Sequence, residues 1–353
     1  IFFSVILVLY SGFVYKNDSV IGIDSVNDFN RNWTYSDETG KTVSADLPDT
    51  LSVKNELFTI NNIVPENFSD DMVICFRSLY QTFSVTVDGE KVYEYEKSGG
   101  ISKSTGCSWH FIKLPENSAG KQISFTVNSP YGKYSKYMNS VIYGSKNAVI
   151  FNIIKNNIDG ILTAFLIFII GLILMIIDFS TKKSFTKNKN IFYLSLFSVM
   201  VSVWIACESP IIDFFISNHL VIYLSSFLSL MLFPIPIILL IFENCTHQKK
   251  IIGSFLICAY FINFFILIFL QIANIADFFE TVMSTHFLLS LSIVLCSYVI
   301  LNEIIKYKNK KVISLGIGLM MFFIFGFINI ISYYFNRQAD STEFFRIGIV
   351  LYV

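Results

Sequence analysis

An antiparallel β-sandwich followed by a bundle of seven membrane helices is the fold class this sequence predicts, and three observations predict it. Residues 16–150 have an ordinary globular composition, whereas residues 151–353 are apolar blocks separated by short polar loops. The first part alternates apolar and polar residues with the period of a strand. In the second part, lysines fall in every other loop. Over the whole chain 54% of residues are hydrophobic and 15% charged, against about 45–50% and about 25% in soluble domains. The mean hydropathy is +0.59. The net charge is zero, which gives no basis for nucleic-acid binding.

The chain opens on the apolar segment Ile1–Tyr15, too short to span a bilayer by itself. No small-x-small cleavage site precedes the polar part, so the segment reads as an uncleaved anchor rather than a signal peptide. There is no initiator methionine, and the last apolar block, Phe344–Val353, is also short. The sequence therefore reads as a piece cut within its first and last membrane helices.

Residues 16–150 follow as short strands between turn residues. In "QTFSVTVDGEKVYEYE", Phe83, Val85 and Val87 share one face, Asp88-Gly89 supplies a tight turn, and Val92–Tyr95 returns. "MVICFRS", "WHFIKLP" and "KQISFTVNS" read as further strands. Several short strands without an amphipathic helix point to an antiparallel sandwich. Sandwiches of this kind bind sugars by stacking them on exposed rings, and Trp33, Trp109, Tyr131, Tyr134 and Tyr137 are the rings available. Core packing is the alternative for both tryptophans. The run "SPYGKYSKY" is the stronger surface candidate, because its tyrosines alternate with Gly, Ser and Lys.

Six blocks then meet or approach the roughly 20 apolar residues a membrane helix needs. They are Ile158–Ile177, Ile191–Cys207, Leu220–Phe242, Ile252–Gln271, Val282–Leu301 and Val312–Phe335, with Phe344–Val353 opening a seventh. Lys182, Lys183, Lys187 and Lys189 mark one loop, Lys249 and Lys250 a second, and Lys306, Lys308, Lys310 and Lys311 a third. The facing loops hold only Arg337, with Arg346 just inside the last block. Cytoplasmic loops carry the excess of Lys and Arg. Residues 16–150 are thus expected outside the cell and the end of the seventh helix in the cytoplasm, with the lipid bilayer as the first partner.

At the outer ends of these helices, Glu208, Asp277 and His286, with Asp213 and Glu280, form an expected acidic rim. Ionisable residues bordering a membrane helix are often functional. Pro234 and Pro236 remove backbone donors inside the third helix and are expected to kink it. Asn263 and Asn329, alone in apolar helices, read as helix–helix hydrogen-bonding groups. Cys75 and Cys107 both fall outside and are free to pair, although their spacing sets no distance. No HExxH, GxSxG, P-loop or Cys/His metal pattern is present, so no enzyme activity, cofactor or metal is expected of this chain.

The order of parts, together with "VSVWIACES", "LSLMLFPIPIILLIFE", "LQIANIADFFETVMSTH" and "FFRIGIVLY", resembles the bacterial seven-transmembrane receptors with diverse intracellular signalling modules. "FSVTVDGEKVYEYE" and "STGCSWHFIKLPENSAGKQISFTVNSPYG" look like the jelly-roll, galactose-binding-like outer domain of clostridial members. The resemblance covers nearly the whole chain. It implies a sensor in the bacterial plasma membrane that detects a small extracellular ligand, plausibly carbohydrate. The signal would pass to an output domain beyond Val353, most often a GGDEF diguanylate cyclase and otherwise a histidine kinase or phosphatase. It also implies homodimers formed through that output domain. The rival reading is a transporter or membrane-embedded transferase with an accessory β-domain. Such proteins need intramembrane charge, of which this sequence has little.

Overall fold

The computed structural model describes residues 26–96, 100–181, 189–245, 250–335 and 342–352. The expected anchor at 1–15, Lys182, Lys183, Lys187, Lys249 and Arg337 lie outside the described residues. The described chain divides into two compact units. The first takes in the residues up to 96 and Ser104–Ile158; the second takes in Gly100–Lys103 and the residues from Asp159 onward.

The first unit is a β-sandwich. Its strands are β1 (Asn27–Asp28), β2 (Trp33–Ser36), β3 (Thr42–Ala45), β4 (Asp49–Thr50), β5 (Phe58–Ile63) and β6 (Met72–Leu79). They continue with β7 (Thr82–Val87), β8 (Glu90–Tyr95), β9 (Cys107–Lys113), β10 (Gln122–Asn128), β11 (Tyr137–Met138) and β12 (Val141–Ser145). A four-stranded sheet runs β1-β12-β6-β9, a six-stranded sheet runs β3-β2-β5-β10-β7-β8, and β11 pairs with β4. Every pairing is antiparallel.

Alternation builds the core. β7 and β10 bury every second side chain, so Phe83, Val85 and Val87 meet Ile123, Phe125 and Val127 on one face of the larger sheet. Ile74 and Phe76 of β6 and Ile112 of β9 belong to the same cluster from the smaller sheet. Asp88 (φ 48°) and Gly89 (φ 85°) both adopt the left-handed region, the condition for the two-residue hairpin turn that suits a twisted strand pair.

Cys75 and Cys107 lie on neighbouring strands but not opposite one another. Cys75 faces Phe111 and Cys107 faces Leu79, an offset of four residues. At about 3.4 Å per residue that is roughly 14 Å, beyond the reach of a disulfide. The two are not joined in a disulfide. Burial pushes the Cys75 thiol well above its ordinary range. In the folded protein Cys75 is therefore expected to resist alkylation at pH 8 and to react only after unfolding; mass spectrometry of labelled peptides reads this out. Rapid labelling of native protein at Cys75 would contradict the burial.

The helices are α1 (Lys146–Thr181), α2 (Lys189–Glu208), α3 (His219–Leu232), α4 (Pro234–Asn244), α5 (Lys250–Ile272), α6 (Phe278–Ile305), α7 (Lys310–Phe335) and α8 (Glu343–Tyr352). Counting α3 and α4 as one segment, six are long and apolar enough to cross a membrane among the described residues. Exposed side chains such as Phe165, Ile176, Phe265, Phe269, Val294 and Ile317 are what lipid-facing surfaces require. α8 has 10 residues, half the length of a membrane crossing, so six spans and not the expected seven are shown among the described residues.

The proline pair produces a break. α3 ends at Leu232, Phe233 stands between the two helices, and Pro234 takes the first position of α4. There its missing N–H costs little, because the first N–H groups of a helix have no intrahelical partner. Asn263 donates to Thr285 Oγ1 (3.0 Å) and joins α5 to α6. Asn329 Oδ1 accepts from the backbone N–H of Phe345 (3.4 Å) and joins α7 to the first turn of α8.

Candidate functional site

The aromatic residues expected to stack on a ligand are mostly buried. Trp33 is 0% exposed, packs against Phe29 and Phe125 at 4.9 and 5.5 Å, and donates its indole N–H to the Phe29 carbonyl (2.6 Å). It is core and presents no stacking face. Tyr131, Tyr134 and Tyr137 are buried as well, which corrects the expectation of a surface run. Their backbone explains it: Gln81, itself buried, donates its amide to the carbonyls of Tyr134 (2.9 Å) and Tyr137 (2.6 Å). Tyr80 stacks on Tyr134 at 5.6 Å. Trp109 is half-buried on β9, opposite Arg77.

The best-built polar site lies in the second unit, around Gln271 and Asp277. Gln271 ends the apolar run of α5, and Asp277 is the residue before α6, so the short turn between these helices brings them together. Gln271 uses every hydrogen-bonding position of its amide. Its nitrogen donates to Asp277 Oδ1 (3.1 Å) and to the Ile101 carbonyl. Its oxygen accepts from the Phe278 N–H (2.7 Å) and from the Tyr223 hydroxyl of α3 (3.4 Å). A primary amide offers two donors and one two-lone-pair acceptor, and all are taken.

Asp277 is 1% exposed. Its Oδ2 accepts from the Lys103 N–H (2.6 Å) and the Ser102 hydroxyl (3.3 Å). Glu280, one turn into α6, reaches back to the Asp277 N–H (2.8 Å) and pairs with the Lys103 ammonium (2.7 Å). Two helices, α5 and α6, thus hold the short segment Gly100–Lys103 through backbone and side-chain bonds together, and α3 braces them through Tyr223. Every donor and acceptor named here is consumed by another, so this arrangement fixes a segment in place rather than presenting a reactive group.

The expected rim residues are not one cluster. Glu208 accepts from the Ser226 hydroxyl and ties α2 to α3. Ser226 lies one turn from Tyr223, so Glu208 is joined to the Gln271 network along α3. His286 stands apart, its Nδ1 3.1 Å from the Tyr334 hydroxyl and its ring 4.8 Å from Tyr333. Asp213 lies 3.8 Å from His219 Nδ1. Lys103, Tyr223 and Gln271 carry most of the site and were not candidates from sequence. The readable signal was an amide closing an otherwise apolar run, "FLQIANIAD".

A second polar contact links α1 to α8. Arg346 is buried and its Nη2 lies 3.0 Å from Asp159 Oδ2. Gly160 makes this possible: a Cβ there would stand 2.5 Å from Arg346 Nη1. Asp178 and Glu303 are also buried, each close to the end of its helix. The helical unit therefore holds more ionisable groups inside than the sequence suggested, all toward helix ends. Among the described residues no group of His, Cys, Asp and Glu could hold a metal ion.

A β-sandwich ahead of six helices of this length and apolarity defines a multi-pass membrane protein. No protein-family model, curated protein or solved structure matches the chain.

Proposed function

We propose that this chain is the sensing part of a membrane signalling protein. The β-sandwich, of the jelly-roll, galactose-binding-like type, takes up a small extracellular ligand, and the helices carry the resulting shift to a cytoplasmic output domain. The observation that carries this reading is the clamp on Gly100–Lys103. This segment is part of the connection between β8 and β9, yet Gln271, Asp277 and Glu280 of the helical unit bind it. A change in the course of that connection therefore reaches two helices, α5 and α6, directly through these bonds. A ligand drives such a change only if it binds the two states with different affinity.

The seven-helix form of the reading draws on α8. Phe345 packs on Trp204 of α2 (4.7 Å) and Phe322 of α7 (5.1 Å), and Arg346 pairs with α1. A cavity of about 430 Å³, lined among others by Leu174, Leu194, Leu240, Asn244, Lys311 and Leu315, lies between these three helices and α4. A helix prolonging α8 fills it. The output domain is read, from the family resemblance, as a diguanylate cyclase acting as a homodimer in the bacterial plasma membrane.

The orientation is tested by labelling. A cysteine at Lys187 should be shielded from an impermeant thiol reagent in intact cells, and one at Ser217 should react, in a background lacking Cys75 and Cys107. The reverse pattern would place the sandwich in the cytoplasm and end the sensor reading. The output half of the proposal is tested by the coding sequence after Val353: a stop codon within a few tens of codons removes it.

A further inference from the structure

Gly100–Lys103 keep different company from their neighbours in the chain. The residues up to 96 and those from Ser104 to Ile158 belong to the sandwich unit, but these four belong to the helical unit. None of the four lies in a strand or a helix. Side chains of α5 and α6 hold them instead. Gln271 donates to the Ile101 carbonyl, and Asp277 Oδ2 accepts from the Ser102 hydroxyl (3.3 Å) and the Lys103 N–H (2.6 Å). Glu280 pairs with the Lys103 ammonium (2.7 Å). A Cβ on Gly100 would stand 4.0 Å from Leu220 Cδ2, so the start of the segment lies close to α3 as well. Gln271 and Asp277 are both buried, and Gln271 is fixed in turn by the Phe278 N–H and the Tyr223 hydroxyl.

We propose that the helical unit carries a peptide-binding site between α5 and α6, and that Gly-Ile-Ser-Lys is its built-in ligand, exchangeable for a free basic peptide of the same pattern. The site offers one buried amide donor, one buried carboxylate and a second carboxylate nearer solvent. That set matches a carbonyl at one residue and, two residues on, an N–H and an ammonium. The site suits other ligand classes poorly. A phosphate or carboxylate would face Asp277 and Glu280, a neutral sugar would leave Glu280 without its cation, and a polyamine lacks the carbonyl that Gln271 binds. Exchange starts at the Lys103 end, where the ammonium and the Glu280 carboxylate are 40% and 35% exposed. A few hydrogen bonds hold a free tetrapeptide only weakly in water. Tethering raises the effective concentration of the segment to the order of 1 mM. The built-in copy therefore wins until a competitor is abundant or adds contacts of its own.

This inference deepens the sensor reading and rests on it for its consequence, since displacing the segment frees the β8–β9 connection; the binding itself is tested without it. In the full chain in lipid nanodiscs, Lys103→Pro removes both the N–H and the ammonium, which vacates the site. Fluorescence anisotropy follows a labelled Gly-Ile-Ser-Lys-amide peptide. It should bind the Lys103→Pro variant at least about tenfold more tightly than the parent, whose own segment competes. Norleucine in place of the peptide's lysine, or Glu280→Gln in the Lys103→Pro chain, should each weaken binding about tenfold, because a charge-assisted bond is lost. A second measurement needs no variant: several millimolar unlabelled peptide should speed hydrogen exchange at residues 100–103 of the parent. The inference is overturned if the peptide fails to bind the Lys103→Pro chain and leaves exchange in the parent unchanged. It is also overturned if parent and variant bind alike, or if spermidine competes as well as the peptide, which would reduce the site to an acidic surface. None of these results bears on orientation or on the sequence after Val353, so the sensor reading stands or falls separately.

Discussion

Asp277→Ala should free segment 100–103 and cost the helical unit about 3–5 kcal/mol. The carboxylate caps the entry to α6 and accepts from Lys103, Ser102 and Gln271. Losing a helix cap costs about 0.5–2 kcal/mol. Each buried donor left without an acceptor costs a further 1–3 kcal/mol or so, and Gln271 is 1% exposed, with little access to replacement water. Hydrogen exchange should show the Lys103 amide opening at least about a hundredfold more often, because 1.4 kcal/mol is about a factor of ten in population. Asp277→Asn should be intermediate: it keeps the shape but turns one acceptor into a donor facing other donors. Unchanged exchange at residues 100–103 in the alanine variant would show that the clamp does not hold the segment, and the proposed route from strand connection to helices would go with it.

Trp33→Ala should destabilise the sandwich by about 3–5 kcal/mol, the usual range for truncating a large buried aromatic. The ring fills space between Phe29 and Phe125, and its removal also leaves the Phe29 carbonyl without its 2.6 Å donor. Urea unfolding of the full chain in nanodiscs, followed by exchange of β-strand amides, separates this loss from events in the helices. Trp33→Phe should recover more than half of the lost stability, because it restores most of the volume. If Trp33→Ala left strand protection intact, the packing of the core around this residue would have to be redrawn.

Much of this was legible in the residues. "TFSVTVDGEKVYEY" sets a two-residue period around a turn that only a residue tolerant of positive φ can make, and the structure has that hairpin at β7 and β8. The apolar blocks were equally plain, since a span of lipid demands length and hydropathy and little else. The break at Phe233 follows from Pro234 just after it. The sites were not legible in this way. Tyr131, Tyr134 and Tyr137 sit in a run of Gly, Ser and Lys that reads as surface, yet Gln81, some fifty residues away, draws the backbone of Tyr134 and Tyr137 inward.

Local alternation, turn chemistry and runs of apolar residues are short-range properties, and they alone determined that strands come first and lipid-crossing helices follow. Burial of a given ring and the company of a given carboxylate are long-range properties. Lys103 and Glu280 are separated by 177 residues, and no spacing rule relates them. The Gln271 network and the depth of Trp33 were decided only when strand register and helix packing brought distant residues to one place. The physical reason is that hydrogen bonds and van der Waals contacts act over a few ångströms, so their partners are chosen by the fold and not by nearness along the chain.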